Sequence, residues 1–209
     1  ALAVPALASA QTTFNWKMTS AYGKGAPFYM DGPGSATDLA KRIREMSGGR
    51  LNIQVFGAGE LIPAFEGFDA VIHLAELSND PLGQNRPEIT FKINHEGSVR
   101  IAKAAKAAGV KRFVYASSCS VYGVGSGDFL DESAPTNPQT AYAQCKVFVE
   151  RDVTPLADDK FSVVFLRNAT AYGPSPRMRF DIVLNDLCAL AWTTKRIAMI
   201  SDGSPWRPL

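Results

Sequence analysis

Hydrophobic and polar positions change period along this chain in a regular order. Phe14-Asn-Trp-Lys-Met-Thr-Ser20 alternates apolar and polar residues, the two-residue period of a strand. Gly23, Gly25, Pro27, Gly32, Pro33 and Gly34 then punctuate a loop. Leu39, Ile43 and Met46 follow at helical spacing, behind Ser35-x-x-Asp38, which resembles a capping box, and ahead of the closing Gly48-Gly49. Leu51, Ile53 and Val55 alternate with Asn52 and Gln54, a second strand. The first third of the chain therefore predicts one β-α-β unit.

The remainder repeats the alternation. Phe68 to Ala75 is a short apolar run, the mark of a buried parallel strand. A polar loop through Asn79-Asp80-Pro81 and Arg86-Pro87 leads to a long helix from about Ile89 to Ala108, closed by Gly109. Lys111 to Ala116 reads as the next strand. Asn137 and Pro138 offer an N-cap and a first-turn proline for a helix carrying Tyr142 and Lys146. Phe161 to Arg167 is another strand, about Phe180 to Thr194 a helix, and Ile197 to Ile200 one more short strand. Residues Ser201 to Leu209 read as a Pro/Trp-rich loop that stops mid-fold. Strands alternating with helices predict an α/β fold whose parallel sheet is covered on both faces.

Composition narrows the function classes. The chain has 209 residues, 46% hydrophobic and 20% charged, with a net charge of +2, which is globular rather than disordered. Neither the first third nor the rest is strongly basic, so a dedicated nucleic-acid surface is not expected. Cys119, Cys145 and Cys188 are scattered and odd in number, against a disulfide framework or a CxxC zinc site. His73 and His95 are the only histidines, too few for a multi-histidine metal site; His95 reads as a surface residue. No apolar run reaches the roughly 20 residues of a membrane span. The start, Ala1 to Gln11, ends its small and apolar run in Ala8-Ser9-Ala10, an A-x-A pattern that reads as the tail of a secretory signal peptide, residues 1–10.

Tyr142-Ala-Gln-Cys-Lys146 carries the chemistry. A tyrosine four residues before a lysine places phenol and ammonium on one helical face. A phenol is a poor base at its usual pKa of about 10, and a nearby cation favours its ionised form. The pair Ser117-Ser118 lies upstream, and one of its hydroxyls can hydrogen-bond a substrate oxygen while the tyrosine moves a proton. This is equipment for alcohol–ketone chemistry with a hydride carrier.

From about Phe68 onward the chain resembles the extended short-chain dehydrogenase/reductase superfamily, in its NAD-dependent epimerase/dehydratase branch. Asp69-Ala-Val-Ile-His-Leu-Ala75, Asn94-x-x-Gly97, Phe113-Val-Tyr-Ala-Ser-Ser-Cys-Ser-Val-Tyr-Gly123, Tyr142-x-x-x-Lys146 and Leu166-Arg-Asn-Ala-Thr-Ala-Tyr-Gly-Pro174 carry the resemblance, in order. It implies a Rossmann-like sheet. It also implies Ser118, Tyr142 and Lys146 as catalytic residues, with Ser117 as the alternative serine. Leu74, Ala75, Asn94, Ala116, Ser117, Tyr142, Lys146, Asn168 and Ala169 would face NAD or NADP. Ser118, Asn168, Arg179 and Arg207 would face a nucleotide-sugar substrate, with Arg177 a weaker candidate. The implied reaction is epimerisation or dehydration at a sugar hydroxyl, in the cytoplasm, and the resemblance admits a homodimer. Ser118-Cys119-Ser120 lacks the acidic neighbours common in dehydratases and leans toward an epimerase or reductase.

Two departures qualify that expectation. Glu76 stands where the family usually has a small residue beside the cofactor, where it would crowd or repel the dinucleotide. The opening strand, Gly-x-x-Gly-x-x-Gly turn and helix that seat the diphosphate have no counterpart, so the expected protein is an inactive or weak fragment lacking the family's first β-α-β and its C-terminal substrate lobe. Residues 1–71 resemble instead the start of a periplasmic substrate-binding protein of TRAP-type carboxylate transporters. Phe14-Asn-Trp-Lys-Met and Met46-Ser-Gly-Gly-Arg-Leu-Asn-Ile-Gln-Val-Phe56 carry this, followed by Gly59-Glu60-Leu61. The chain thus reads as a chimera joined near residues 65–72, with 11–67 as a binding-protein-like segment and 68–209 as a partial Rossmann-like domain. A solute-binding function, at a periplasmic address, is the alternative.

Overall fold

A computed structural model describes residues 12–19, 24, 32, 35–57, 65–78, 84–124, 129–175, 178–199 and 202. The chain divides into two compact units, residues 1–62 and 63–209. The signal-like residues 1–10 and the Gly59-Glu60-Leu61 word fall outside the described residues.

In the first unit, strand β1 (Phe14–Thr19) pairs in parallel with β2 (Leu51–Phe56), Phe14 opposite Leu51 and Thr19 opposite Phe56. Helix α1 (Ala36–Met46) connects them. Its first turn is held as the sequence predicts: the Ser35 hydroxyl accepts the Asp38 N–H at 3.1 Å, satisfying one of the orphan donors of the helix start. Asp38 also pairs with Arg42 one turn on, at 2.9 Å.

The second unit is built on a parallel sheet in the order β3 (Ala70–His73), β4 (Arg112–Ser118), β5 (Ser162–Asn168). Its register places His73 opposite Tyr115, and Ser118 opposite Asn168. The segment between β3 and β4 is helical from Pro87 to Ala107, but not uniformly α. It runs as α2 (Pro87–Thr90), a π-helical stretch Phe91–Gly97, and α3 (Ser98–Ala107). A 3₁₀ turn, Cys119–Tyr122, follows β4, and α4 (Ala141–Val153) and α5 (Val183–Thr194) flank β5 in sequence.

Strand alternation decides which side is core. Phe113, Tyr115 and Ser117 of β4 point to one face and are buried. Against them pack Ala102 and Ala105 of α3, Val149 and Val153 of α4, and Val110 and Phe161 at the strand approaches. Each large side chain so buried contributes about 1.5–3 kcal/mol. On the other face Ile72, Val164 and Leu166 are exposed. Gly109 closes α3 at φ +80°, where its N–H reaches the Lys106 carbonyl, a left-handed turn that a side chain would strain.

Two local expectations are corrected. The helix carrying Tyr142 is capped by Thr140, whose hydroxyl accepts the Ala143 N–H at 3.2 Å, and not by Asn137. Asn137 is engaged elsewhere: its N–H donates to the Val121 carbonyl and its own carbonyl accepts from Gln139. The short strand expected at Ile197–Ile200 does not form over residues 197–199, and Ile200 lies outside the described residues.

Candidate active site

The carboxyl ends of β3, β4 and β5 lie side by side, because the strands are parallel and in register. In open α/β sheets this is the edge where ligands bind. Most of the sequence-predicted site residues collect there. Leu74 and Ala75 follow β3, and Leu74 is 67% exposed. Ser117 and Ser118 end β4. Asn168 ends β5 opposite Ser118, and both Asn168 and Ala169 are exposed.

The two serines separate by strand alternation. Ser117 turns to the helix-covered face, is 4% exposed, and donates to Glu150 of α4 at 2.5 Å. Ser118 turns the other way, and its oxygen accepts the Ser120 N–H at 3.1 Å. That bond uses a lone pair of Ser118, and its O–H faces the neighbouring Cys119 thiol, a weak acceptor that a substrate oxygen would replace.

Tyr142 and Lys146 lie one turn apart on α4, with the Lys146 Nζ 5.0 Å from the centre of the Tyr142 ring and 4.6 Å from that of Tyr115. Burial of the ammonium requires partners, and it has two. It donates to the Ala116 carbonyl, and it contacts Glu76 Oε2 at 2.5 Å. Both side chains of this pair are 4% exposed. The contact joins an ammonium and a carboxylate and combines charge attraction with hydrogen bonding. Burial pushes the Glu76 carboxyl up and the Lys146 ammonium down, each toward its neutral form, and their mutual attraction opposes both.

Glu76 is held from several sides. Its Oε1 accepts the Tyr115 hydroxyl and, at 3.5 Å, the Ser98 hydroxyl. Burial, then the Glu76 charge, raises the Tyr115 phenol well above its ordinary value, which keeps it a donor. Ser98 Oγ lies 2.8 Å from His73 Nε2. Desolvation, with Lys146 nearby, lowers His73 to about 4, so that ring is neutral at physiological pH. The Glu76 carboxylate, expected beside the cofactor, thus meets the lysine assigned to that cofactor.

Asn94, expected beside the cofactor, is fully buried in the π-helical stretch and spends its amide on Leu77: Oδ1 accepts the Leu77 N–H and Nδ2 donates to the Leu77 carbonyl, both at 2.9 Å. It fixes the loop that carries Glu76. π-turns recur at functional sites, and here the wide turn coincides with that clamp. Arg179 forks onto Asp181 at 2.9 and 2.6 Å. Arg177 and Arg207 lie outside the described residues. His95, expected at the surface, is partly buried and bonds Asp152 at 2.7 Å. Cys145 is buried against the Thr90 carbonyl, and desolvation pushes its thiol up to about 12, which leaves it a packing residue. Among the described residues no cluster of His, Cys, Asp and Glu could hold a metal, and no helix is long and apolar enough to cross a membrane.

One network escaped sequence reasoning. Arg167 of β5 binds Glu150 at 2.7 Å, the Tyr122 hydroxyl at 2.9 Å and the Glu132 carbonyl at 3.2 Å. The signal was present: Arg167 shares the inward register of Val163 and Phe165, and an inward charge demands a partner.

Comparison with known proteins bears on this geometry. Residues 36–209 match the model of the NAD dependent epimerase/dehydratase family, a match that begins ahead of Phe68 and takes in α1 and β2. Human UDP-glucose 4-epimerase is 32% identical over 144 residues, 65% of this chain and 41% of that protein. Mouse dTDP-D-glucose 4,6-dehydratase is 35% identical over 117 residues, 55% of this chain and 33% of that protein. The chain thus spans about two-fifths or less of these curated relatives. Among solved structures, MoeE5 in complex with UDP-glucose and NAD superposes with a TM-score of 0.71 at 24% identity, covering 93% of this chain and 66% of that one. A mutant UDP-glucuronic acid 4-epimerase from Bacillus cereus, in complex with a fluorinated UDP-sugar and NAD, gives 0.65 at 21%, covering 91% and 67%. At these identities the structural likeness establishes the Rossmann-like fold. Nothing in the comparisons supports a solute-binding reading of the first third.

Proposed function

This chain belongs to the NAD-dependent epimerase/dehydratase family, and we propose on that premise that residues 68–209 carry an NAD(P)-dependent site for hydride transfer at a hydroxyl-bearing carbon of a nucleotide sugar. The observation that carries the reading is the placement of the Tyr142/Lys146 pair beside Ala116, at the carboxyl end of the middle parallel strand.

The residues present suit the nicotinamide end of such a cofactor. Leu74 offers exposed apolar surface after β3, and Asn168 and Ala169 are open after β5. Ala75 and Ala116 add small side chains at the same edge. Bound NAD or NADP would supply the hydride acceptor and donor. Tyr142 would take the proton from the sugar hydroxyl and return it, and the Lys146 charge would favour the phenolate. Ser118 would donate to the same sugar oxygen. Arg179 and Arg207 are assigned to the substrate diphosphate, because guanidinium forks match phosphate oxygens. The relatives act on UDP- and dTDP-sugars, which sets the substrate class to be tried.

Melting temperature recorded against NAD+, NADP+, UDP-glucose and a dicarboxylate tests the reading, since a ligand that prefers the native state raises it. A rise with a dinucleotide is expected. A rise with the dicarboxylate alone would sink it. Tyr142→Phe should keep the ligand-induced rise and lower sugar turnover by about 10²–10⁴-fold, the usual worth of a general acid–base group.

A further inference from the structure

The Glu76–Lys146 pair lies inside the site just described, and nothing in that chemistry calls for a buried carboxylate there. Lys146 has three N–H donors. One goes to the Ala116 carbonyl, and the ammonium is turned onto Glu76 Oε2 at 2.5 Å. The contact is built rather than incidental. Tyr115 and Ser98 hold the other carboxylate oxygen, and Asn94 clamps the backbone of the next residue, Leu77, with two bonds of 2.9 Å. All of Glu76's partners come from elements that flank the site: Tyr115 from β4, Ser98 from α3, Lys146 from α4.

Two consequences follow for the residues the site would use. First, Nζ lies 5.0 Å from the Tyr142 ring, close enough for its charge to favour the phenolate. A carboxylate in contact with that ammonium opposes its field at the tyrosine. Second, the Ala116 carbonyl and Glu76 occupy two of the three Lys146 donors in a contact that is 4% exposed on both sides, which leaves at most one for a ribose hydroxyl.

We propose that Glu76 is a positioning residue that locks Lys146, withdrawing its charge from Tyr142 and one of its N–H donors from the cofactor ribose. The proposal rests on the hydride-transfer reading for its cofactor half, whereas its tyrosine half stands on the geometry of the free protein. The titratable groups that face the pair are His73 on β3, Tyr115 on β4, and Tyr142, Cys145 and Glu150 on α4.

The experiment uses the whole chain without ligand and then with NAD+. The tyrosinate ultraviolet band is titrated in wild type, Glu76→Ala and Glu76→Gln, and the component lost in Tyr142→Phe is assigned to Tyr142. Release of the lock lowers the Tyr142 midpoint by about one unit, a tenfold change in its acidity. It also tightens NAD+ binding by about tenfold in calorimetry. Glu76→Gln keeps the shape and the Tyr115 partner if Glu76→Ala fails to fold. An unchanged Tyr142 midpoint in a folded variant overturns the lock, whatever NAD+ does. A shifted midpoint with no NAD+ binding in any variant supports the lock and overturns the cofactor reading instead. A purely structural Glu76 would change the melting temperature and leave the Tyr142 midpoint where it is.

Discussion

Glu150 receives Arg167 on one side, at 2.7 Å, and the Ser117 hydroxyl on the other, at 2.5 Å, so a single carboxylate of α4 joins the ends of β4 and β5. This fixes what each serine of the Ser117-Ser118 pair can do. Ser117 is committed to structure. Ser118 faces away from the helices and has only the weakly accepting Cys119 thiol for its proton.

The expected outcome separates the pair cleanly. Ser117→Ala removes a hydrogen bond to a charged group, leaves Glu150 Oε1 with only the longer 3.2 Å bond from Arg167 Nε, and should lower stability by about 1–3 kcal/mol, with little change in turnover per folded molecule. Ser118→Ala removes the bond from the Ser120 N–H and the weak contact with the Cys119 thiol and should cost about 1 kcal/mol or less while reducing turnover much more. Chemical denaturation and initial rates on the same samples check both. A larger loss of turnover in Ser117→Ala would reassign the catalytic serine.

Gly123 closes the 3₁₀ turn after β4 at φ +59°, and a Cβ built there would meet the Asn137 carbonyl oxygen at 1.7 Å. No side-chain rotation relieves a clash with backbone. Gly123→Ala should therefore displace the 119–123 turn or the Asn137 segment, cost several kcal/mol of about the 5–15 available to a domain, and release the Asn137 N–H from the Val121 carbonyl. Faster hydrogen exchange at the Asn137 amide, together with a lower denaturation midpoint, is the expected reading.

His73 sets a pH window. Its folded value is about 4 against an ordinary 6.5, because burial disfavours the charged ring and Lys146 repels it. Between those values the unfolded chain binds more protons than the native one, so stability rises with pH across the window. It is fully present above about 6.5 and falls away as pH drops toward about 4. The linked loss is of order 3 kcal/mol at most. His73→Gln should flatten that part of the stability profile, measured by urea midpoints from pH 7 to pH 4. An equally steep profile in the variant would place the acid sensitivity elsewhere.

The fold was largely legible because the chain switches period so plainly. The alternation of Leu51, Ile53 and Val55 and the apolar run before Leu74 named their strands without tertiary information. The Ser35 cap was local and was found. Thr140 was missed because Asn137-Pro138 is the better cap signal in isolation; contacts from Val121 and Gln139 claim Asn137 first. For the same reason the site was only half legible. Tyr142 and Lys146 announce themselves by spacing, and Glu76 stood out as a departure. Where its carboxylate goes depends on Tyr115 and Lys146, 39 and 70 residues away in sequence, and no periodicity encodes that pairing.

The Glu76–Lys146 pair should behave as one unit in stability. Each ion alone is costly to bury, and removing one partner strands the other, typically at about 3–5 kcal/mol. Glu76→Gln should therefore be destabilising although it preserves volume and the Tyr115 contact, and Lys146→Met should be comparably so. Replacing both removes the two charges together, and a buried ion pair exchanged for neutral groups is often close to neutral in cost. The double variant Glu76→Gln/Lys146→Met should then recover most of the loss, with a coupling energy of about 2 kcal/mol or more in a double-mutant cycle. Strict additivity would mean that the two side chains do not meet in solution, and the lock on Lys146 would fall with the pair. Strong coupling would make Glu76 the residue to alter first in any attempt to raise the reactivity of Tyr142.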